Sequence, residues 1–198
     1  MKKNITIIDY GSGNILSAKQ SFARVIKKEN IDADVCISGN PETIKKSTHI
    51  VLPGQGAFKT CINGLEGIPG MIDELNNFVI NKKKPFFGIC LGMQLIFSKS
   101  EEFGSGKGLD LLPGLIKKFP TSINGDVIKV PQIAWNKIRM FKKKWEGTPL
   151  FDIEENEFMY FVHSYYAVPA EDDNILTKTN YCGLEYCSAI IKENIILH

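Results

Sequence analysis

Arginine is nearly missing from these 198 residues: only Arg24 and Arg139 occur. Bidentate recognition of phosphate or of base edges therefore has few candidate side chains. Lys plus Arg, 24, nearly balances Asp plus Glu, 22, for a net charge of +2, and so small a bias argues against a nucleic-acid partner. The lysine runs at 82–84 and 142–144 are read as solvated surface. No apolar run approaches the roughly 20 residues that span a bilayer, so no membrane role is expected. The opening MKKNITIIDYG breaks at Asp9 and Gly11, too early for a secretory signal, and the expected setting is the cytoplasm. No Cys-x-x-Cys pair occurs among Cys36, Cys61, Cys90, Cys182 and Cys187, which excludes the usual zinc spacing and a disulfide frame. No metal or organic cofactor is implied.

What the chain does have is alternation. NITIID (4–9), DADVCI (32–37), THIVLP (48–53) and KPFFGI (84–89) read as strands. Between them, Ile15, Ala18, Phe22, Val25 and Ile26 share one helical face, Pro41 opens a short helix, and helical stretches cover about residues 70–82 and 91–98. This β-α alternation predicts an α/β fold with a mostly parallel sheet flanked by helices. After Gly104 come short strand-like runs between Gly, Pro, Asn and Asp turns, read as an antiparallel extension. No repeat or linker divides residues 1–198, and a single domain is expected. Two phosphate-loop lookalikes fail: in 101–109 Glu101 and Gly108 replace required residues, and in 9–16 Leu16 replaces the last glycine of a dinucleotide fingerprint.

The chemistry concentrates in GICLG. Gly88 and Gly92 give Cys90 the small neighbours that a nucleophile needs at a sharp strand-to-helix turn. Such a turn presents the thiol at the carboxyl end of the sheet, and the start of the following helix is expected to favour thiolate. The Leu91 N–H then lies near any developing oxyanion. A second strand-end loop, LPGQGAF, brings Gly54, Gln55 and Gly56, whose backbone amides can point into a pocket. Cys36, Cys61, Cys182 and Cys187 lack such flanks and are read as structural.

GICLGMQ with the upstream LPGQGAF resembles the class I (triad) glutamine amidotransferases, whose fold is flavodoxin-like. Within that class IDYGSGN (8–14), VPQIAWN (130–136) and YFVHSYYA (160–167) resemble the glutaminase-subunit family of imidazole glycerol phosphate synthases. The resemblance implies that Cys90 attacks the side-chain amide of glutamine, with Gly54, Gln55, Gly56 and Leu91 forming the oxyanion hole. It implies that Gln94 and the main chain at His163, Ser164 and Tyr165 hold the glutamine. It places Asn14, Gln132, Trp135, Asn136 and Tyr160 toward a β/α-barrel cyclase partner in a heterodimer. That partner would use the ammonia to make imidazole glycerol phosphate and an aminoimidazole carboxamide ribotide, in histidine biosynthesis.

The family sets its catalytic base and orienting carboxylate in a C-terminal His-Pro-Glu, which these residues do not contain. On the register of SAIIKENI the expected histidine falls a few residues past His198, so the expectation is a domain truncated before that segment. The alternatives are a non-catalytic binding subunit, a stand-alone cysteine-elbow hydrolase, and a paralogue that feeds ammonia to a sugar.

Overall fold

The computed structural model describes residues 2–142 and 144–198. The chain divides into two compact units, residues 1–96 with 193–197, and residues 97–192 with 198.

The first unit is built from β1 (Lys3–Ile8), α1 (Ile15–Lys28), β2 (Ala33–Ser38), α2 (Pro41–Lys46), β3 (His49–Gly54), α3 (Phe58–Glu66), α4 (Met71–Asn76), β4 (Phe86–Cys90) and α5 (Leu91–Leu95). A returning strand, Ile195–Leu197, completes it. The strands run β2-β1-β3-β4-(195–197), every pair parallel. The order reverses direction between β1 and β3, and open sheets of this kind bind ligands beyond the strand ends near such a reversal. Ile7, Ile8, Ile50, Leu52 and Phe86 are buried on these strands, while Phe58, Leu65, Met71, Leu75 and Phe78 come in from the helical segments. Asn40 caps α2 by accepting from the Glu42 N–H, with Pro41 at the first helical position.

Two local expectations change, and one gains detail. The apolar face predicted for α1 is only partly covered: none of its residues is fully buried, and Val25 stays 51% exposed. The helical stretch expected over about 70–82 is helical from Met71 to Asn81, α-helical to Asn76 and then a π turn over Asn77–Asn81. The helix expected from Leu91 to about Ser98 stops at Leu95, because Phe97–Ser100 leaves it to pair in parallel with Leu112–Lys118. The short apolar run Leu95-Ile96-Phe97 fits either element, and strand pairing decides it.

The second unit contains β5 (Phe97–Ser100), β6 (Gly106–Lys107), β7 (Leu112–Lys118), β8 (Ser122–Ile123), β9 (Asp126–Val127), β10 (Gln132–Met140), β11 (Phe158–His163), β12 (Tyr165–Pro169), β13 (Ile175–Tyr181) and β14 (Leu184–Lys192). Apart from the parallel β5–β7 pair its ladders are antiparallel, as predicted for this half. Phe119, Ile138, Trp145, Phe161, Leu176, Tyr186 and Ala189 form its buried cluster.

Candidate active site

Strand β4 delivers Cys90 to the carboxyl edge of the first sheet, and the chain turns there into α5. Cys90 takes φ 54°, ψ −117°, a conformation that costs a non-glycine residue of order 1–3 kcal/mol and persists only where packing enforces it. The packing is visible at the glycines. A Cβ on Gly92 would lie 1.8 Å from the Leu52 carbonyl oxygen, and one on Gly54 would lie 2.7 Å from the Gly92 nitrogen. Backbone therefore presses on backbone where α5 begins against the end of β3. Gly54 and Cys90 are register partners across the β3–β4 ladder, which sets the 54–56 loop beside the thiol strand. Gln94, partly buried, lies on α5 itself.

The Cys90 side chain retains solvent access. The protein around it nevertheless desolvates the thiolate and pushes the thiol's pKa above its ordinary value, while the Leu91 N–H pulls it partly back. The expected depression by the helix start is therefore outweighed. Helix α5 is only five residues long, so its dipole is small. A thiol in this setting needs a base to become a nucleophile at neutral pH. His49 cannot be that base. It opens β3, five residues from Gly54 and so roughly 16 Å from the Cys90 end of the sheet. Its Nδ1 is bonded to Thr48 Oγ1 at 2.8 Å.

Loop 54–56 is braced by residues that the motif reading passed over. Tyr10 donates its hydroxyl to the Pro53 carbonyl at 2.7 Å, and Ser12 Oγ donates to the Gln55 carbonyl at 2.7 Å. The buried Cys61 thiol reaches Ser12 Oγ at 3.2 Å and the Gln55 carbonyl at 3.4 Å. A carbonyl held on one side turns the next residue's N–H to the other, so these bonds orient the Gly54 and Gly56 amides. Burial pushes the Tyr10 phenol well above its ordinary pKa, so it remains a donor. Asn14 is exposed, and its side chain caps α1 by accepting from Ser17 N–H.

In the second unit His163, Ser164 and Tyr165 form the passage from β11 to β12. The Ser164 carbonyl accepts from Phe119 N–H at 3.0 Å, and His163 Nδ1 donates to the Tyr165 carbonyl at 2.8 Å. Burial lowers the pKa of His163, the Tyr165 carbonyl raises it, and His198 nearby lowers it further.

Strands β10 and β11 expose a continuous apolar face. Ile133 pairs with Val162, Trp135 with Tyr160 and Lys137 with Phe158. Trp135 is 65% exposed and Tyr160 50%, their rings 5.5 Å apart. Ile133, Phe158 and Val162 belong to this face and are found by the two-residue period of the strands. Gln132 corrects the interface expectation, being 0% exposed. It lies on the inward side of β10, where it accepts from Tyr186 OH at 3.0 Å and donates to Asn136 Oδ1 at 3.0 Å. Asn136, on the same side and only partly exposed, donates to the Asn180 carbonyl at 3.1 Å. Among the described residues, no group of three or more His, Cys, Asp or Glu is placed to hold a metal.

Similarity to known proteins runs nearly end to end. The family model described as glutamine amidotransferase class-I matches residues 6–197. Imidazole glycerol phosphate synthase subunit HisH from Geobacter sulfurreducens is 37% identical over 195 residues, covering 97% of this chain and 87% of that one. The HisH subunits of Sulfurimonas denitrificans, 39% identical, and Pelagibacter ubique, 40% identical, each cover 97% of this chain, with 86% and 88% of their own lengths matched. A solved glutamine amidotransferase has the same fold, with a TM-score of 0.63 at 13% identity over 97% of this chain and 87% of its own. On a match of this extent the chain belongs to the class I glutamine amidotransferases, among the HisH subunits of imidazole glycerol phosphate synthase.

Proposed function

We propose that the protein hydrolyses glutamine to glutamate and ammonia, and passes the ammonia to a β/α-barrel cyclase subunit of imidazole glycerol phosphate synthase. One observation carries the reading: Cys90 is mounted at a strained strand-to-helix elbow beside the braced 54–56 loop. The Cys90 sulfur, once deprotonated, adds to the side-chain amide carbon of glutamine. The oxygen of that carbon becomes an oxyanion, which the Leu91 amide and the amides of Gly54, Gln55 and Gly56 are suited to receive. The carbon–nitrogen bond then breaks, nitrogen leaves as ammonia after taking up a proton, and a glutamyl thioester remains. Water attacks the thioester, releasing glutamate and returning the thiol. Gln94 and the main chain at His163, Ser164 and Tyr165 hold the rest of the glutamine. Residues 1–198 act as one amidotransferase domain in the cytoplasm.

The barrel partner docks on the exposed face of Ile133, Trp135, Phe158, Tyr160 and Val162, and Asn14 is a further candidate contact. Such a patch, with two large aromatic rings at its centre, is the kind of surface that anchors protein–protein contacts. The partner consumes the ammonia in forming imidazole glycerol phosphate and the aminoimidazole carboxamide ribotide.

The test is glutamate formation from glutamine, measured with and without the barrel subunit. It is run for the 198-residue chain and for a version extended through His-Pro-Glu. Turnover that needs Cys90 and rises with the partner supports the reading. Equal turnover without the partner would point to a stand-alone hydrolase, and tight docking with no turnover from either version to a binding subunit.

A further inference from the structure

The returning strand Ile195–Leu197 is short and apolar at every position. Its register sets Ile195 beside Phe86, Ile196 beside Phe87 and Leu197 beside Gly88. Hydrophobic patterning fixes a register where a slip would turn polar residues inward and apolar residues outward. Here a one-residue slip exchanges one aliphatic side chain for another, so the pattern leaves the register open. The residue before the strand closes it. Asn194 donates both amide hydrogens, to the Val79 carbonyl at 3.0 Å and to the Lys84 carbonyl at 2.8 Å. Carbonyls only accept, so the amide nitrogen and not its oxygen faces them. The Asn194 carbonyl in turn accepts from the Phe86 N–H at 2.9 Å. These bonds tie the start of the strand to the π turn and to the start of β4, and a slip breaks them all.

The register matters two residues from the thiol. A Cβ on Gly88 would lie 2.7 Å from Leu197 Cδ2 and 3.0 Å from the Gly92 carbonyl oxygen. Leu197, 0% exposed, thus packs directly over Gly88 at the elbow. Strand β4 lies between β3 and the returning strand, so the elbow is held from the β3 side at Gly54 and Gly92, and from the other side by Leu197. A slipped strand would bring β-branched Ile196 or His198 to that place instead.

We infer that Asn194 is a positioning residue for Cys90: its amide sets the register of the returning strand, and that register keeps Leu197 on Gly88 and the elbow in its strained conformation. The role of Cys90 as nucleophile rests on the glutaminase reading, whereas the hold on the elbow does not.

The experiment first measures alkylation of Cys90 by iodoacetamide on the 198-residue chain, at fixed neutral pH, by peptide mass spectrometry. Asn194→Ala removes both donors. With the elbow released the thiol gains water, and its rate should rise about threefold or more, the factor carried by one hydrogen bond. Asn40→Ala is the control: it removes the cap of α2, costs stability of the same order and touches neither the strand nor the elbow, so its rate should match the parent. An unchanged rate in Asn194→Ala would overturn the inference, and equal acceleration in both variants would overturn it too, as general loosening. The second measurement is glutamine turnover by the version extended through His-Pro-Glu, mixed with the barrel subunit. Asn194→Ala should lower kcat about tenfold or more, because a displaced nucleophile loses alignment, while KM stays within about twofold. Full kcat would overturn the inference and leave the glutaminase reading intact. If Asn194→Ala fails to fold, Asn194→Ser takes its place, keeping a donor for one of the two carbonyls. Faster alkylation in that variant supports the inference, and a parental rate overturns it. Absence of turnover by the extended parent would overturn the glutaminase reading, and the alkylation rates would then decide the hold on the elbow by themselves.

Discussion

Gly92→Ala is the substitution that most directly probes how the nucleophile is mounted. The added Cβ would sit 1.8 Å from the Leu52 carbonyl oxygen and 2.8 Å from the Leu52 carbonyl carbon. An ordinary carbon–oxygen contact is about 3.3 Å, so the elbow and the end of β3 must part by about 1.5 Å. Both sides of the contact are backbone, so no side chain can swing away to relieve it. Overpacking of this kind costs about 1–3 kcal/mol, and the rigid contact places Gly92 at the upper end. Alanine recovers up to about 1 kcal/mol of helix propensity, leaving a net loss of about 2 kcal/mol. For a chain of this size that lowers Tm by about 4–8 °C. Activity should fall further than stability, because the shift moves Cys90 and the Leu91 amide against loop 54–56. Gly56→Ala is the control: nothing lies within 4 Å of its Cβ, and only its φ of +92° is strained. It should cost about 1–2 kcal/mol with no displacement of the elbow. Thermal melts and glutamine turnover of both variants decide the matter. Gly92→Ala melting within about 1 °C of the parent with full turnover would refute the contact-based reasoning.

Other consequences follow from the same geometry. Alkylation of Cys90 by iodoacetamide, followed by peptide mass spectrometry, should keep accelerating above the ordinary thiol value of about 8.5, because desolvation favours the neutral form; a plateau below that pH would contradict the sign. Trp135→Ala and Tyr160→Ala should each weaken binding of the barrel subunit by about 1–3 kcal/mol in titration calorimetry. Because both side chains are at least half exposed, neither should shift the chain's own melting by more than about 0.5 kcal/mol in equivalent stability. Tyr10→Phe should cost about 1 kcal/mol by freeing the Pro53 carbonyl, and should lower kcat more than it raises KM for glutamine.

The strands of the first unit were legible because buried parallel strands write themselves as short apolar runs, and 4–9, 32–37, 48–53 and 84–89 each match a strand to within a few residues. Cys90 was legible because an elbow tolerates little beyond glycine around it, and the 1.8 Å approach at Gly92 explains that restriction. Side-chain direction was harder to read. The resemblance points Gln132, Trp135 and Asn136 alike toward the partner, but a strand alternates, and Ile138 buried on β10 fixes Gln132 and Asn136 to the inner side with Trp135 on the outer. The braces on loop 54–56 were not legible at all. Tyr10 meets Pro53 and Ser12 meets Gln55 across 43 residues, and Cys61 meets Ser12 across 49, and no local pattern encodes such pairings. The direction of the thiol's pKa shift is not legible in the sequence for a related reason. The helix start is visible in sequence, whereas desolvation comes from the fold around it.

The central claim, that Cys90 releases ammonia from glutamine, is tested most directly by glutamate formation from a version extended through His-Pro-Glu, mixed with the proposed barrel subunit, with and without Cys90→Ala. The account predicts turnover with the thiol and none above background without it. Turnover that survives Cys90→Ala would contradict it.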